Sequence, residues 1–372
     1  MKLNNPIRTF NSKLFANKRL VVYLYQLITW IISANVFIIL KAWGVPDQTG
    51  YLIFSKPENL FLAHVMATAM GVFIGLILAF VDDLRLNSPL RRTGLGLTIL
   101  IKGASSLLTI IVVVLAVSFA FLFILGSDLE EAFSRHKAFA MSSYFTTIVA
   151  YGGVVSLAAS FLRQIDSKFG PGNLFNMLIG KYQKPKVEDR IFMFLDLKNA
   201  TPFAEKLGHF KYSRMLQDCF LDITKVITRH KAEVYQYVGD EIVLTWKTPV
   251  GISNAECISA FYSFLDVLNS RRKYYMKHYG VMPLFKAGLN CGHVTVAEIG
   301  SFKREIAYHG DVINTASRIQ CQCNKYHRNL LVSGQLVKRL SDVNGYSFEF
   351  ARAAKLKGKK LPVEIYSVQK AA

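Results

Sequence analysis

Acidic residues are scarce in this chain. Asp and Glu number 25 against 45 Lys and Arg over 372 residues, for a formal charge of +20. No basic helix or aromatic-interleaved motif accompanies that excess, which excludes nucleic acid as the partner. Cysteine is sparse too: Cys219, Cys257, Cys291, Cys321 and Cys323, an odd number confined to the second half. That count in a reducing compartment excludes a disulfide framework. Cys321-Gln-Cys323 followed by His327 matches no common zinc spacing and lacks a fourth ligand. His209, His230, His278, His293 and His327 have no adjacent carboxylate or nucleophile that would make a hydrolytic set. Gly292-His293 and Gly300-Ser301 bracket a strand without forming a phosphate-binding glycine loop. No internal repeat or low-complexity tract is present.

Charge of either sign is missing from long stretches of the first half, whereas the second half has an ordinary soluble composition. Four stretches run roughly Leu20–Leu40, Leu60–Val81, Leu97–Leu125 and Ser142–Leu162. Each reaches the length of about 20 apolar residues that crosses a bilayer. The first is long and has no small-residue cleavage pattern after it, so a retained span is expected rather than a cleaved signal. Lys2, Arg8, Lys13, Lys18 and Arg19 precede it, and Arg85, Arg91 and Arg92 lie between the second and third spans. Asp128, Glu130 and Glu131 follow the third, alongside Arg135 and Lys137. The positive-inside rule then places both termini and the soluble half in the cytoplasm of a multi-pass inner or plasma membrane protein. Contact with anionic headgroups of the lipid bilayer accounts for part of the positive charge. Inside the spans, Lys102 is placed to snorkel, and His64 is an interfacial group and a candidate sensor.

The division that follows is residues 1–19 as a cytoplasmic N-terminal segment, 20–163 as a four-helix membrane domain, 164–189 as a linker, 190–368 as the soluble domain and 369–372 as a tail. The linker holds the turn signal Gly170-Pro171-Gly172 and a short amphipathic stretch with Leu174, Phe175, Met177 and Leu178. Beyond it, strand and helix periods alternate. Strands are expected at Ile191–Leu197, Glu233–Val238, Glu241–Trp246, Leu284–Asn290 and Val294–Ile299, the last two as a hairpin. Helices are expected at Phe203–His230, Asn254–Tyr279 and Asp311–Asn324, with short strands at Leu330–Val332, Ser347–Phe350 and Val363–Val368. The order β-α-β-β-α-β predicts an α+β, ferredoxin-like domain attached to four transmembrane α-helices.

Two carboxylates interrupt the apolar strands. Asp196 ends the run from Ile191, and Asp240 follows Gly239 at a hairpin-turn signal between two β-rich runs. An unpaired charge beside a buried strand is costly. Two such carboxylates side by side would instead suit Mg²⁺ or Mn²⁺, which prefer oxygen ligands. Further along, Asn314 and Arg318 stand four residues apart in a helical stretch and so share a face. An amide suited to a ribose oxygen and a guanidinium suited to a phosphate thus point the same way.

The set Phe194-Leu195-Asp196-Leu197, Val238-Gly239-Asp240-Glu241 and Gly310-Asp311-x-x-Asn314-x-Ala316-Ser317-Arg318 resembles the catalytic domain of class III nucleotidyl cyclases. The likeness runs from about Arg190 to Val368, and Lys181-Tyr182-x-Lys184-Pro185-x-x-Glu188-x-Arg190 is similar to the entry segment of bacterial members. The resemblance implies that Asp196 and Asp240 bind two metal ions, that Asn314 orients the ribose and that Arg318 neutralises charge on the α-phosphate. It also implies a homodimer, with the aspartates from one chain and Asn314 and Arg318 from the other. The resemblance also implies that the basic run Lys355–Lys360 reaches the terminal phosphates through Lys357, with Lys359 the alternative, and Lys303 or Arg304 is the candidate second phosphate contact.

At the base-selecting positions this chain departs from the family pattern. Gln236 stands where Lys or Glu is usual, and Ala307 where Asp, Thr or Cys is usual. ATP is the expected substrate, because the guanine-specifying Glu and Cys are both absent. A guanylate or dual-specificity cyclase is the alternative, and a nucleotide-binding receptor module without turnover is the alternative of another class. Four spans exceed what an anchor needs, so the membrane domain is expected to sense a membrane or extracytoplasmic ligand or to hold the dimer.

Overall fold

The computed structural model describes residues 18–44, 60–85, 94–124, 128–170, 173–302, 304–340, 345–355 and 361–371. Lys303 and Lys357 lie outside the described residues. The chain divides into two compact units between Pro171 and Gly172.

The first unit is helical: α1 (Lys18–Gly44), α2 (Leu60–Arg85), α3 (Leu95–Ile124), α4 (Leu129–Ala140) and α5 (Ser143–Phe169). Four of these are long and apolar enough to cross a membrane, over Leu20–Lys41, Leu60–Leu84, Gly96–Ala120 and Ser143–Asp166. The acidic connection after the third span is itself the helix α4. Its first turn carries Glu130 and Glu131, which suit the positive end of a helix dipole. Two glycines bring α1 and α2 into backbone contact. A Cβ at Gly71 would lie 2.7 Å from the Trp30 carbonyl oxygen, and one at Gly75 would lie 3.0 Å from the Leu27 Cα. Polar groups tie the helices as well. Asp82 Oδ2 accepts from Gln26 Nε2 at 2.5 Å and pairs with Arg163, joining α1, α2 and α5. The His64 ring nitrogen lies 2.8 Å from Asn35 Oδ1 on α1, and Asn35 Nδ2 also donates to Thr68 Oγ1.

The second unit opens with α6 (Asn173–Leu178), then β1 (Lys186–Leu197), α7 (Ala200–Arg229, kinked at Gly208), β2 (Glu233–Val238) and β3 (Glu241–Lys247). There follow α8 (Thr248–Ile252), α9 (Glu256–Ser270), α10 (Arg272–Tyr279), β4 (Phe285–Ile299), β5 (Glu305–His309) and α11 (Asp311–Lys325). Then β6 (Leu330–Ser333), α12 (Gly334–Arg339), β7 (Tyr346–Ala354) and β8 (Val363–Lys370) complete it. The eight strands form one sheet in the order β2-β3-β1-β4-β6-β8-β7, with β5 on the far end of β4. Strands β4-β1-β3-β2, crossed by α7 and by α9–α10, make the split β-α-β arrangement.

Alternation along β1 sorts the two faces. Ile191, Met193 and Leu195 enter the large core shared with Met215, Ile223, Phe261 and Phe264. Phe192 and Phe194 enter a second core with Val243, Val294, Val296 and Ala316 of α11. By the same period, Asp196 falls on the α11 face.

Two expectations are corrected. Leu284–Asn290 and Val294–Ile299 are not a hairpin but one 15-residue strand, because β1 pairs with it without a break from Lys186↔Val296 to Leu197↔Phe285. Its hairpin partner is β5. The helix expected over Asn254–Tyr279 is two helices. Asn254 and Ala255 take left-handed φ values of 53° and 48°, which delay its start. Arg271, at the break, bonds Asp222 and stacks over Tyr274.

Candidate active site

Asp196 lies at the end of β1 and faces three neighbours from other elements. In register it sits opposite Glu241 on β3 and Lys286 on β4, and paired residues point to the same face. Lys286 is buried, with Nζ 3.2 Å from Asp196 Oδ2 and 3.2 Å from Asn324 Oδ1. From α11, Gln320 Nε2 donates to Asp196 Oδ2 at 2.7 Å. The helix can reach that far because it lies directly on the β4 backbone: a Cβ at Gly288 would be 2.2 Å from the Gln320 nitrogen.

Asp240 is placed by the turn between β2 and β3. Gly239 has φ 61°, as the first central residue of a type II′ turn requires, and Val238 pairs with Glu241 across it. Burial, with the nearby Asp196 charge, raises the Asp240 carboxyl above its ordinary range. Burial and the charges of Asp196 and Asp240 push Glu241 up to about 7. Tyr212 of α7 is pushed up to about 12 by burial and by Asp240 and Asp196. Three carboxylates therefore compete for one buried lysine. That deficit of positive charge, in a set of hard oxygen donors, fits a divalent cation.

Among the described residues, no group of three His, Cys, Asp or Glu side chains forms a closed metal cage. An open pair is what Mg²⁺ ordinarily uses, since it keeps water and substrate phosphates among its ligands. Asp196 and Asp240 are the candidates to hold it. Helix α7 begins at Ala200, four residues beyond Asp196, after Asn199 in a left-handed conformation. Its unpaired first-turn N–H groups offer an anion site at this end of the sheet.

Asn314 and Arg318 occupy the opposite side of α11. The helix buries Thr315, Ala316, Ile319, Gln320 and Cys323 against the sheet. At 100° per residue, Arg318 and Asn314 stand about 200° and about 240° around the helix from Gln320. Asn314 is exposed and Arg318 half-buried. Among the described residues neither side chain has a hydrogen-bond or ion-pair partner. The structure thus brings Asp196 and Asp240 together and turns Asn314 and Arg318 away from them.

Gln236 follows a bulge at Tyr235 that breaks the β2–β3 register. It then pairs with Val243, so its exposed amide lies on the Asp196 face. Ala307 is buried and pairs with Ala297 across the β4–β5 hairpin.

Several residues here were not found from the sequence. Glu241, Lys286 and Gln320 depend on register and helix docking, which no local pattern reports. Asn199 takes a left-handed conformation, which Asn tolerates, and its side chain makes no cap hydrogen bond to α7. His230 is a buried histidine whose partners are supplied by long-range folding. Its ring nitrogens lie 2.7 Å from Glu256 Oε2 and 2.8 Å from Ser263 Oγ, joining the end of α7 to α9.

Residues 182–370 match the family model of the adenylate and guanylate cyclase catalytic domain, just over half of the chain. The chain belongs to that family. The chain is 31% identical over 193 residues to Adenylate cyclase 2 of Rhizobium meliloti (strain 1021), covering 52% of this chain and 53% of that protein. It is 23% identical over 267 residues to the adenylate cyclase of Anabaena cylindrica, covering 66% and 52%. Human retinal guanylyl cyclase 2 is 24% identical over 168 residues, covering 45% and 15%. The chain spans about half the length of the two bacterial adenylate cyclases. Among solved structures, a bacterial light-regulated adenylyl cyclase aligns with a TM-score of 0.51 at 17% identity, over 61% of this chain and 66% of that one, a likeness of fold.

Proposed function

We propose that the chain is a membrane-bound cyclase that converts ATP to 3′,5′-cyclic AMP and pyrophosphate at sites shared by two copies. One observation carries the reading. The α11 glutamine holds Asp196 on the inner side of the helix, while Asn314 and Arg318 leave its outer side. One chain therefore cannot close all four residues on a single nucleotide, whereas a two-fold pair can supply the aspartates from one copy and the amide and guanidinium from the other. In the reaction the ribose 3′-oxygen bonds to the α-phosphorus. The bond from that phosphorus to the bridging oxygen breaks, pyrophosphate leaves with the electron pair, and the hydroxyl proton is released.

Asp196 and Asp240 would hold Mg²⁺ or Mn²⁺, two ions per site, which would supply positive charge for the phosphoryl transfer. Asn314 orients the ribose and Arg318 meets charge on the α-phosphate. Lys286 beside Asp196 and the start of α7 would offer positive charge to the phosphates, and Lys303 and Lys357, outside the described residues, are the further candidate cations. Adenine is favoured by the adenylate cyclase relative at 31% identity. Guanine or dual use is the second reading, resting on the exposed Gln236 amide, which can donate and accept. The positive-inside bias supports a cytoplasmic cyclase domain under an inner or plasma membrane.

The test uses purified full-length chain with Mn²⁺ and ATP or GTP, with cyclic nucleotide separated by chromatography. Asp240→Asn and Arg318→Ala chains should each be inactive alone. Mixed in equal amounts, they should regain about one quarter of wild-type activity, since half the dimers carry one intact site of two. No product from wild type with either nucleotide would sink the cyclase reading. No recovery on mixing would sink the shared site.

A further inference from the structure

Arg190 places a full guanidinium inside the second unit at 2% exposure. It lies on β1 on the α11 face, six residues before Asp196. Nε donates to Glu188 Oε2 at 2.8 Å, and Nη1 donates to Glu233 Oε2 at 2.8 Å. The second Glu188 oxygen accepts from the hydroxyl of Tyr182 at 2.9 Å, and that ring is itself buried. The guanidinium carbon stands 4.9 Å from the ring centre of Tyr308. Tyr308 in turn meets Tyr235 edge-on at 5.0 Å and Phe192 at 5.4 Å.

Glu188 and Phe192 lie on β1 with Arg190, and the other contacts come from three further parts of the fold. Tyr182 lies in the segment between α6 and β1. Glu233 opens β2, an edge strand hydrogen-bonded only to β3, which turns into Asp240. Tyr308 stands on β5, three residues before α11 begins at Asp311. Tyr235 is the bulge before Gln236. A buried guanidinium is tolerated only when paired, and removing one partner of such a pair is strongly unfavourable. A simple charge balance needs one acid. Two acids from separate strands, with a ring against the guanidinium, fix its position and plane.

We propose that Arg190 is a positioning residue, a buried hub through which the segment entering at Tyr182 sets the placement of β2 with its Asp240 turn and of β5–α11 with Asn314 and Arg318. The proposal rests on the roles given to those four residues above, but its main test does not need turnover. The shared Glu188 carboxylate is the joint: withdrawing the Tyr182 hydroxyl leaves one of its oxygens unsatisfied and frees it to rotate about Arg190.

Tyr182→Phe removes only that hydroxyl and keeps the packed ring, so the fold is retained. Amide exchange on the full-length protein should quicken by about threefold to tenfold, a net hydrogen bond, in residues 233–239 and 305–314. Strands β6, β7 and β8 should be unchanged. In the active enzyme kcat at saturating nucleotide should fall by a similar factor, with KM moving less. In an Arg318→Lys background the same substitution should add less than its full effect, because both act through α11. Glu233→Gln provides a second variant, quickening exchange in the same two segments from the opposite side of the hub. Unchanged exchange in those segments, exchange raised evenly over the sheet, or a full additive effect would overturn the hub. So would faster exchange with unaltered kcat. If wild type makes no cyclic nucleotide, the exchange result still decides the hub, and only the cyclase reading falls.

Discussion

Gly288→Ala is a one-methyl change that tests whether α11 must lie on β4. The added Cβ would stand 2.2 Å from Gln320 N, 2.6 Å from Gln320 Cα and 2.7 Å from Ala316 O, all backbone atoms that no rotamer change can move. Ordinary contact begins at 3.4 Å, so the helix must lift by about 1.2 Å along that line. Gln320 then loses its bond to Asp196, and Asn314 and Arg318 move with the same helix. Overpacking of this kind costs about 1–3 kcal/mol. In a unit of this size that lowers the melting midpoint by about 2–12 °C. Misplacement by about 1 Å costs on the order of 100-fold in rate. Product formation from Mn²⁺–ATP and a circular-dichroism melt measure the two effects. Gly251→Ala is the control, since its Cβ would meet the side chains of Ile191 and Trp246 at 2.7 and 3.0 Å and not α11. It should lower stability without a comparable rate loss. A folded Gly288→Ala with kcat/KM near wild type would refute the reasoning, as would an equal rate loss in the control.

Other perturbations separate the remaining forces. The Glu241 carboxyl, pushed up to about 7 by burial and by Asp196 and Asp240, has a folded value above the unfolded value of 4.5. Its contribution is therefore fully present below about pH 4.5 and lost as pH rises through about 7. Glu241→Gln should stabilise the metal-free protein at pH 8 by ~1–2 kcal/mol, after discounting for solvent screening, with the gain shrinking toward pH 5. Melts in chelator that show no gain at pH 8 would contradict this. Gly239→Ala places a Cβ at φ 61° with nothing within 4 Å, so it should cost only about 1 kcal/mol of strain. A much larger drop in melting midpoint would mean the turn does more than bend the chain. In the membrane unit, Gly71→Leu forces α1 and α2 apart at the Trp30 carbonyl and should lower the aggregation temperature in detergent, whereas Gly94→Leu, in open space, should not.

Much of the molecule was legible from its sequence, and the reasons differ by element. The four spans needed only runs of about 20 uncharged residues, a property of composition that tertiary contacts do not alter. Asp196 and Asp240 stood out because a charge at the end of an apolar strand violates the pattern around it. Helix period put Asn314 and Arg318 on one face, and the family resemblance gave that face its meaning. Position in the chain could not report Lys286 or Glu241, which become neighbours of Asp196 only through strand register. The His230 partners lie 26 and 33 residues away and were invisible for the same reason.

What the sequence determined by itself was periodic and local: spans, strands, a glycine turn and two residues on one helical face. What only the tertiary structure decided was which side of α11 faces inward. Because Gly288 admits the helix onto the β4 backbone, Gln320 meets Asp196 and leaves Asn314 and Arg318 outside. Close packing permits one such seating, and no single residue encodes it.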